Sequence, residues 1–341
     1  MSSKLKLSQL RICVEKISQE HEQEILNLKK SGASLQALSA AFNVKKLWPS
    51  NSVITIAFLS SGENIQRTPI EALRGDEKES ENLKIDPLQD MVESMSIQEA
   101  IKEIIRQRLE PIINLKLKFI ENAKKANVRI SFDPDSGSWS LVGTDCLRQK
   151  EGATMNFGWF DVATTIHEFC HMLGMIHEHQ NPKNNPIEWD NKKVYEWAKV
   201  TQGWSKEIAD TNILLKSKME QINGSFFDPL SIMLYFFPKT LTLDGHGTHQ
   251  NLRLSGLDVE WISKMYPSSS NESPEQFYEK VYNEDIEDSV SESLSASKKF
   301  DDEKGGFNWK AFSIYLLLFF LFVMICGVIF YYRHNAKIRK D

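Results

Sequence analysis

Cysteine is scarce: the 341-residue chain carries only Cys13, Cys146, Cys170 and Cys326. That number leaves one plausible disulfide at most. A secretory leader is also not expected, because Met1 to Lys16 holds no long apolar core. An excess of basic charge is missing too. With 41 Lys and Arg against 46 Asp and Glu the net charge is −5, and the cations are dispersed instead of forming one stripe. No nucleic-acid partner is therefore expected. The 41% hydrophobic content provides for one substantial globular domain plus appendages.

Long hydrophobic runs are absent until the far end. There Phe312 to Tyr332 continues without a charge, and as a helix it extends about 32 Å, enough for a hydrocarbon core of about 30 Å. A transmembrane helix is expected over 312–332, with Trp309, Tyr331 and Tyr332 in the interfacial aromatic belts. A buried globular helix apolar on every face would need further chain to surround it. Residues 333–341 form a basic tail with Arg333, Lys337, Arg339 and Lys340 against Asp341. By the positive-inside rule that tail is cytosolic and the domain outside. The missing leader and the terminal position of the anchor instead suit post-translational insertion, with the catalytic domain facing the cytosol, and this tail-anchored single-pass arrangement is the one expected. The sequons at Asn223 and Asn271 do not decide between the two. Residues 268–306, rich in serine and acidic side chains, are expected to be a disordered stalk.

What the chain does have is histidine at regular spacing. His167, Glu168, His171, Gly174 and His177 form a complete H-E-x-x-H-x-x-G-x-x-H. Residues four apart share a helix face, so His167 and His171 can turn two imidazoles toward one metal, with Glu168 beside it. Gly174 can take the left-handed conformation that ends a helix, letting the chain double back to present His177 as third ligand. Three neutral imidazoles and an open fourth position are the donor set of a hydrolytic zinc site, with one Zn2+ per chain, and Glu168 is placed to act as general base on the metal's water. An amphipathic helix with solvated histidines would leave Gly174 and His177 unexplained.

Together with Ser231-Ile232-Met233-Leu234-Tyr235 about fifty residues downstream, this motif resembles the metzincin metalloproteases, and most closely their astacin-like catalytic domains. Thinner matches fall at Arg129 to Asp133, Gly137 to Gly143, Ala153 to Asn156 and Leu254 to Asp258, so that the resemblance covers roughly residues 46 to 267. It implies an α+β fold: an N-terminal sheet with the zinc helix, then an irregular C-terminal half carrying the Met-turn at Met233, to which the C-terminal transmembrane helix is added. It implies that Tyr235 is a displaceable extra ligand that swings off the metal to donate to the oxyanion, and that the substrate is a protein or peptide. Leu234 departs from the histidine common in astacins, at a position that is not a ligand. Glu178 matches a position that meets a new amino terminus after zymogen cleavage, although a surface carboxylate explains it equally well. Two other functions compete with an endopeptidase: a catalytically silent, membrane-anchored adhesion or assembly protein that keeps the zinc, and an amidohydrolase of non-protein amides.

Residues 1–45 read as a helical extension or propeptide preceding the 46–267 domain. Val53 to Phe58, Leu115 to Phe119 and Val128 to Phe132 read as strands, Gly62 to Met95 as a polar surface insertion with a turn at Arg74-Gly75-Asp76, and Ser96 with Glu99 as the capping box of a helix. By resemblance Ala153 to Phe157 is the edge strand above the cleft. Cys170 is expected to be a small buried apolar residue, His179 a loop histidine turned away from the metal, and His246 and His249 part of a turn.

Overall fold

Alternation of Ile54 and Ile56 with Val53 and Thr55 gives strand β1, Val53–Phe58, whose two isoleucines are wholly buried. The computed structural model describes residues 46–74, 84–182, 184–215, 226–268, 272–284 and 286–303. The chain divides into two units, Met1–Ser297 and Lys298–Asp341, and the packing described below is that of the first. β1 lies between two parallel neighbours, β2 (Lys116–Phe119) and β3 (Val128–Ser131), with Ile54 opposite Leu117 and Ile56 opposite Val128. The five-stranded sheet runs β2-β1-β3-β5-β4, where β4 is Trp139–Ser140 and β5 is Met155–Asn156. β5 pairs parallel with β3 on one side and antiparallel with β4 on the other.

The segment expected at the edge, Ala153 to Phe157, is thus an interior strand, and the edge falls to Trp139–Ser140. The ladder continues past the short strands, because Leu141 donates to the Thr154 carbonyl. Two-residue strands carry too little alternation to reveal that return from sequence.

Helix α1, Ile97–Arg108, is capped by Ser96, whose hydroxyl accepts from the Glu99 backbone N–H at 3.3 Å. Ala100, Ile101, Ile104 and Ile105 form its buried stripe, and each buried isoleucine contributes about 1.5–3 kcal/mol. That stripe packs on α2, Val162–Met172. The described part of Gly62 to Met95 is no polar surface insertion. Ile65, Leu73, Leu88 and Val92 are buried, Gln66–Arg67 pairs in parallel with Trp159–Phe160, and Asp86 forms a buried ion pair with Arg108 at 2.6 and 2.7 Å. Its buried polar residues find partners elsewhere in the fold, Asp86 in Arg108, Thr68 in Asp161 and Gln89 in the Val162 backbone N–H, so composition alone misread it.

Beyond α3 (Asn191–Gln202) and α4 (Gly256–Met265), residues 268–306 depart further from expectation. Where a disordered stalk was expected, the described residues form α5 (Pro274–Tyr282) and α6 (Ile286–Glu303). Phe277, Tyr278, Tyr282 and Ile286 join the main core, and the Tyr282 hydroxyl donates to Asp86. Ser289 of α6 is buried, receiving the Gly256 backbone N–H at 3.0 Å and the Tyr278 hydroxyl at 2.8 Å. Gly256 packs tightly here, since a Cβ would stand 3.0 Å from the Ile286 carbonyl oxygen and the neighbouring backbone would have to give by a few tenths of an ångström. No helix among the described residues is long and apolar enough to cross a membrane. Residues 1–45, the 312–332 span and the 333–341 tail lie outside the described residues.

Candidate metal centre

The geometry of the site starts with both ends of α2. At the first, the Asp161 side chain accepts from the Thr164 backbone N–H at 2.6 Å and the Thr68 hydroxyl at 2.9 Å. At the second, Gly174 takes φ of 102°, and the N–H groups of Gly174 and Met175 return to the carbonyls of His171 and Cys170. That is a Schellman ending, as the glycine in the motif predicts. The helix's last carbonyls also find partners: the Trp48 indole donates to Met172 at 2.8 Å and the Tyr266 hydroxyl to Leu173 at 2.5 Å. The reversed chain then carries His177 back over the helix, and Glu178 ties it to the downstream turn by donating to the Met233 carbonyl at 3.0 Å.

Three rings converge. His167, His171 and His177 are all buried, and one ligating nitrogen from each lies within 4.8 Å of the others. His167 Nδ1 meets the Ile232 carbonyl at 2.8 Å and His171 Nδ1 meets the Met175 carbonyl at 2.9 Å. Carbonyls only accept, so both rings carry the proton on Nδ1 and turn a lone pair on Nε2 inward. The Nε2 atoms of His171 and His177 stand 2.8 Å apart, and the Tyr235 hydroxyl touches Nε2 of both His167, at 3.3 Å, and His177. Two neutral imidazoles can share one proton at most. Three rings and a phenol aimed at one point are satisfied together by a cation, so this donor set fits zinc.

Burial reinforces the fit. It pulls the His167 pKa down to about 4 and those of His171 and His177 well below the ordinary 6.5, the neighbouring histidines adding to the shift for the latter two. Neutral rings are the ones that ligate. Glu168, next to His167 on the same helix, is fully buried, and Met233 is fully buried in the turn that supplies Tyr235.

Other expected residues fall into place or out of it. Cys170 is wholly buried and, like Cys146, a free thiol. His179 is buried in the turn Glu178–Gln180, where its ring stacks on His177 and its Nε2 meets the Asn212 carbonyl at 2.9 Å. It is not one of the three converging histidines, and it packs in the interior instead of lying in an open loop. Glu178 is no surface carboxylate: its Oε1 accepts from Asn181 and from the Asp228 backbone N–H, both at 2.8 Å, and burial with Asp228 nearby holds its pKa well above the usual range. His246 sits in a turn after Asp244. Among the described residues His167, His171 and His177 are the one group able to hold a metal. Sequence reasoning missed Trp48 and Tyr266 as supports of α2, since a lone aromatic carries no sign of which carbonyl it will reach. It also quoted Asp258 without giving it a role.

Comparison with known proteins agrees with this geometry. Residues 89–266, about half of the chain, match the model of the Astacin peptidase family. The structure of myroilysin is similar with a TM-score of 0.53 and 31% sequence identity, over 67% of this chain and 98% of that one. Zinc metalloproteinase nas-4 of Caenorhabditis elegans is 27% identical over 143 residues, 39% of this chain. The match spans 42% of that relative's length.

Proposed function

The chain belongs to the astacin family of zinc metallopeptidases, and we propose that it is a membrane-tethered zinc endopeptidase whose metal is held by His167, His171 and His177. The observation that carries this reading is the convergence of one ligating nitrogen from each of three buried imidazoles, with the buried Glu168 next to His167 in the chain. Zinc bound there supplies Lewis acidity and lowers the pKa of its water toward neutrality.

The chain's own residues do the rest. Glu168 takes a proton from the attacking water and delivers it to the departing amine, which its burial next to His167 supports. Tyr235, through its hydroxyl at the histidine cluster, donates a hydrogen bond to the peptide carbonyl oxygen as that oxygen gains charge. No covalent acyl-enzyme forms. A protein or peptide substrate can lie extended along the outer strand Trp139–Ser140, using main-chain hydrogen bonds that do not depend on its side chains.

The test is cleavage of a protein substrate by the purified full chain. Activity is expected to vanish with a chelator, return with zinc, and be missing from Glu168→Ala. Wild type and variant equally inert while both hold zinc would favour a silent zinc-binding adhesion or assembly protein instead.

The tether is residues 312–332, with the catalytic domain on the cytosolic side. Support for the tether is the charge-free apolar run at 312–332. Protease protection of the intact membrane-bound chain tests the orientation: digestion of the domain without permeabilisation is expected, and a protected domain contradicts it.

A further inference from the structure

The turn that orients the first histidine is itself held from a distance. Asp258 lies in the first turn of α4 and is buried, with 4% of its surface exposed. As a helix cap it needs little: Ser255 and Asp258 form a reciprocal box, in which the Asp258 N–H donates to the Ser255 hydroxyl at 2.9 Å and the Ser255 N–H donates to Asp258 Oδ2 at 3.0 Å. Its remaining contacts leave the helix. Oδ1 accepts from the Ser231 hydroxyl at 2.7 Å, and Oδ2 accepts from the Ile232 N–H at 2.8 Å. The Ser231 hydroxyl in turn accepts from the Met233 N–H at 3.1 Å. One carboxylate thereby fixes three consecutive residues of the turn. The middle one, Ile232, offers the carbonyl that receives His167 Nδ1.

We propose that Asp258 is a positioning residue of the metal site, which sets the Ile232 carbonyl and through it the tautomer and aim of His167. The proposal rests on the reading of His167 as a zinc ligand. A ligand ring with one nitrogen locked to an acceptor loses no orientational freedom on binding, and outer partners of this kind are worth about 10–100-fold in metal affinity. Replacing the carboxylate by an amide keeps size and shape. Turned toward the N–H groups of Ile232 and Ser255, the amide N–H faces two donors; turned toward Ser231, it is accepted by that hydroxyl only if the hydroxyl proton loses the acceptor that Oδ1 gave it, so either orientation forfeits a contact the carboxylate makes.

The experiment is zinc affinity of the full chain by competition with a chromophoric chelator, comparing wild type with Asp258→Asn after circular dichroism shows that both are folded. Asp258→Asn is expected to bind zinc about 10–100-fold more weakly. A residue serving only as a helix cap would lower thermal stability and leave the zinc affinity of the folded protein alone, so an affinity within twofold of wild type overturns the proposal. If Asp258→Asn does not fold, Ser231→Ala decides. It removes one of the two contacts to the turn, and weaker zinc binding supports the proposal while unchanged binding overturns it. A folded wild type that takes up no zinc sinks the zinc reading itself, a result distinct from tight binding by wild type and variant alike.

Discussion

The indole N–H of Trp48 donates to the carbonyl of Met172 at 2.8 Å, joining residues 124 positions apart at the end of the helix that carries two metal-directed histidines. The backbone N–H of Trp48 meets the Tyr266 hydroxyl at 3.2 Å, and that hydroxyl donates to Leu173. The final turn of α2 is therefore closed by side chains from both flanks of the domain. Trp48→Phe keeps an aromatic ring but leaves a buried carbonyl without its donor. Denaturant unfolding of the full chain is expected to show a loss of about 1–3 kcal/mol. A change below about 0.5 kcal/mol would mean that the contact adds nothing.

Gly174→Ala tests the reversal that delivers His177. The residue's φ is 102°, and an added Cβ would lie 3.0 Å from Leu47 Cδ2. Left-handed backbone costs an L-residue about 1–2 kcal/mol before the steric contact is counted. Lower stability together with weaker zinc binding is expected, because the strain falls between the second and third ligands. Wild-type zinc affinity in this variant would separate the glycine from the site.

Tyr235→Phe removes the phenol and keeps the ring that packs against His177 and His179. Zinc content is expected to stay at the wild-type level while kcat falls about 10²–10³-fold with little change in KM, as for loss of one oxyanion donor. A rise in KM at unchanged kcat would assign the tyrosine to ground-state binding.

Acid sensitivity follows from burial of the rings. His167 is held down to about 4, against an ordinary 6.5, and His171 and His177 also lie well below it. Between the two values for His167 the unfolded chain binds more protons than the folded one. The stability this ring contributes is therefore fully present above about 6.5 and lost as pH falls through about 4. Zinc, which needs neutral rings, should remain bound at pH 5 and leave as pH drops toward 4. Dialysis against a pH series followed by metal analysis checks this, and release centred near 6.5 would contradict it.

The site was more legible than the scaffold beneath it. Five motif residues, His167 to His177, announce their chemistry through spacing, since the helical period and a reversing glycine leave few other arrangements. Val53–Phe58 and the Ser96-capped helix were legible for a similar reason, as each is long enough to show its period. Composition misled at 268–306. Serine and acid dominate there, yet Ser273-Pro274 with Gln276 is a helix start, and Phe277, Tyr278, Val281 and Tyr282 keep helical spacing. Periodicity should have outweighed polarity. The edge of the sheet was misassigned because β4 and β5 are two residues each, and tertiary pairing alone decides which lies outside. Asp258 and Trp48 act through partners 26 and 124 residues away, a separation that no local pattern records.

Metal analysis of purified, folded full chain bears most directly on the coordination sphere. About one zinc per chain is expected for wild type, and after extensive dialysis His177→Ala is expected to retain far less, because a third imidazole completes the set. A folded wild-type protein that takes up no zinc, or a His177→Ala variant that holds it as tightly, would contradict the account.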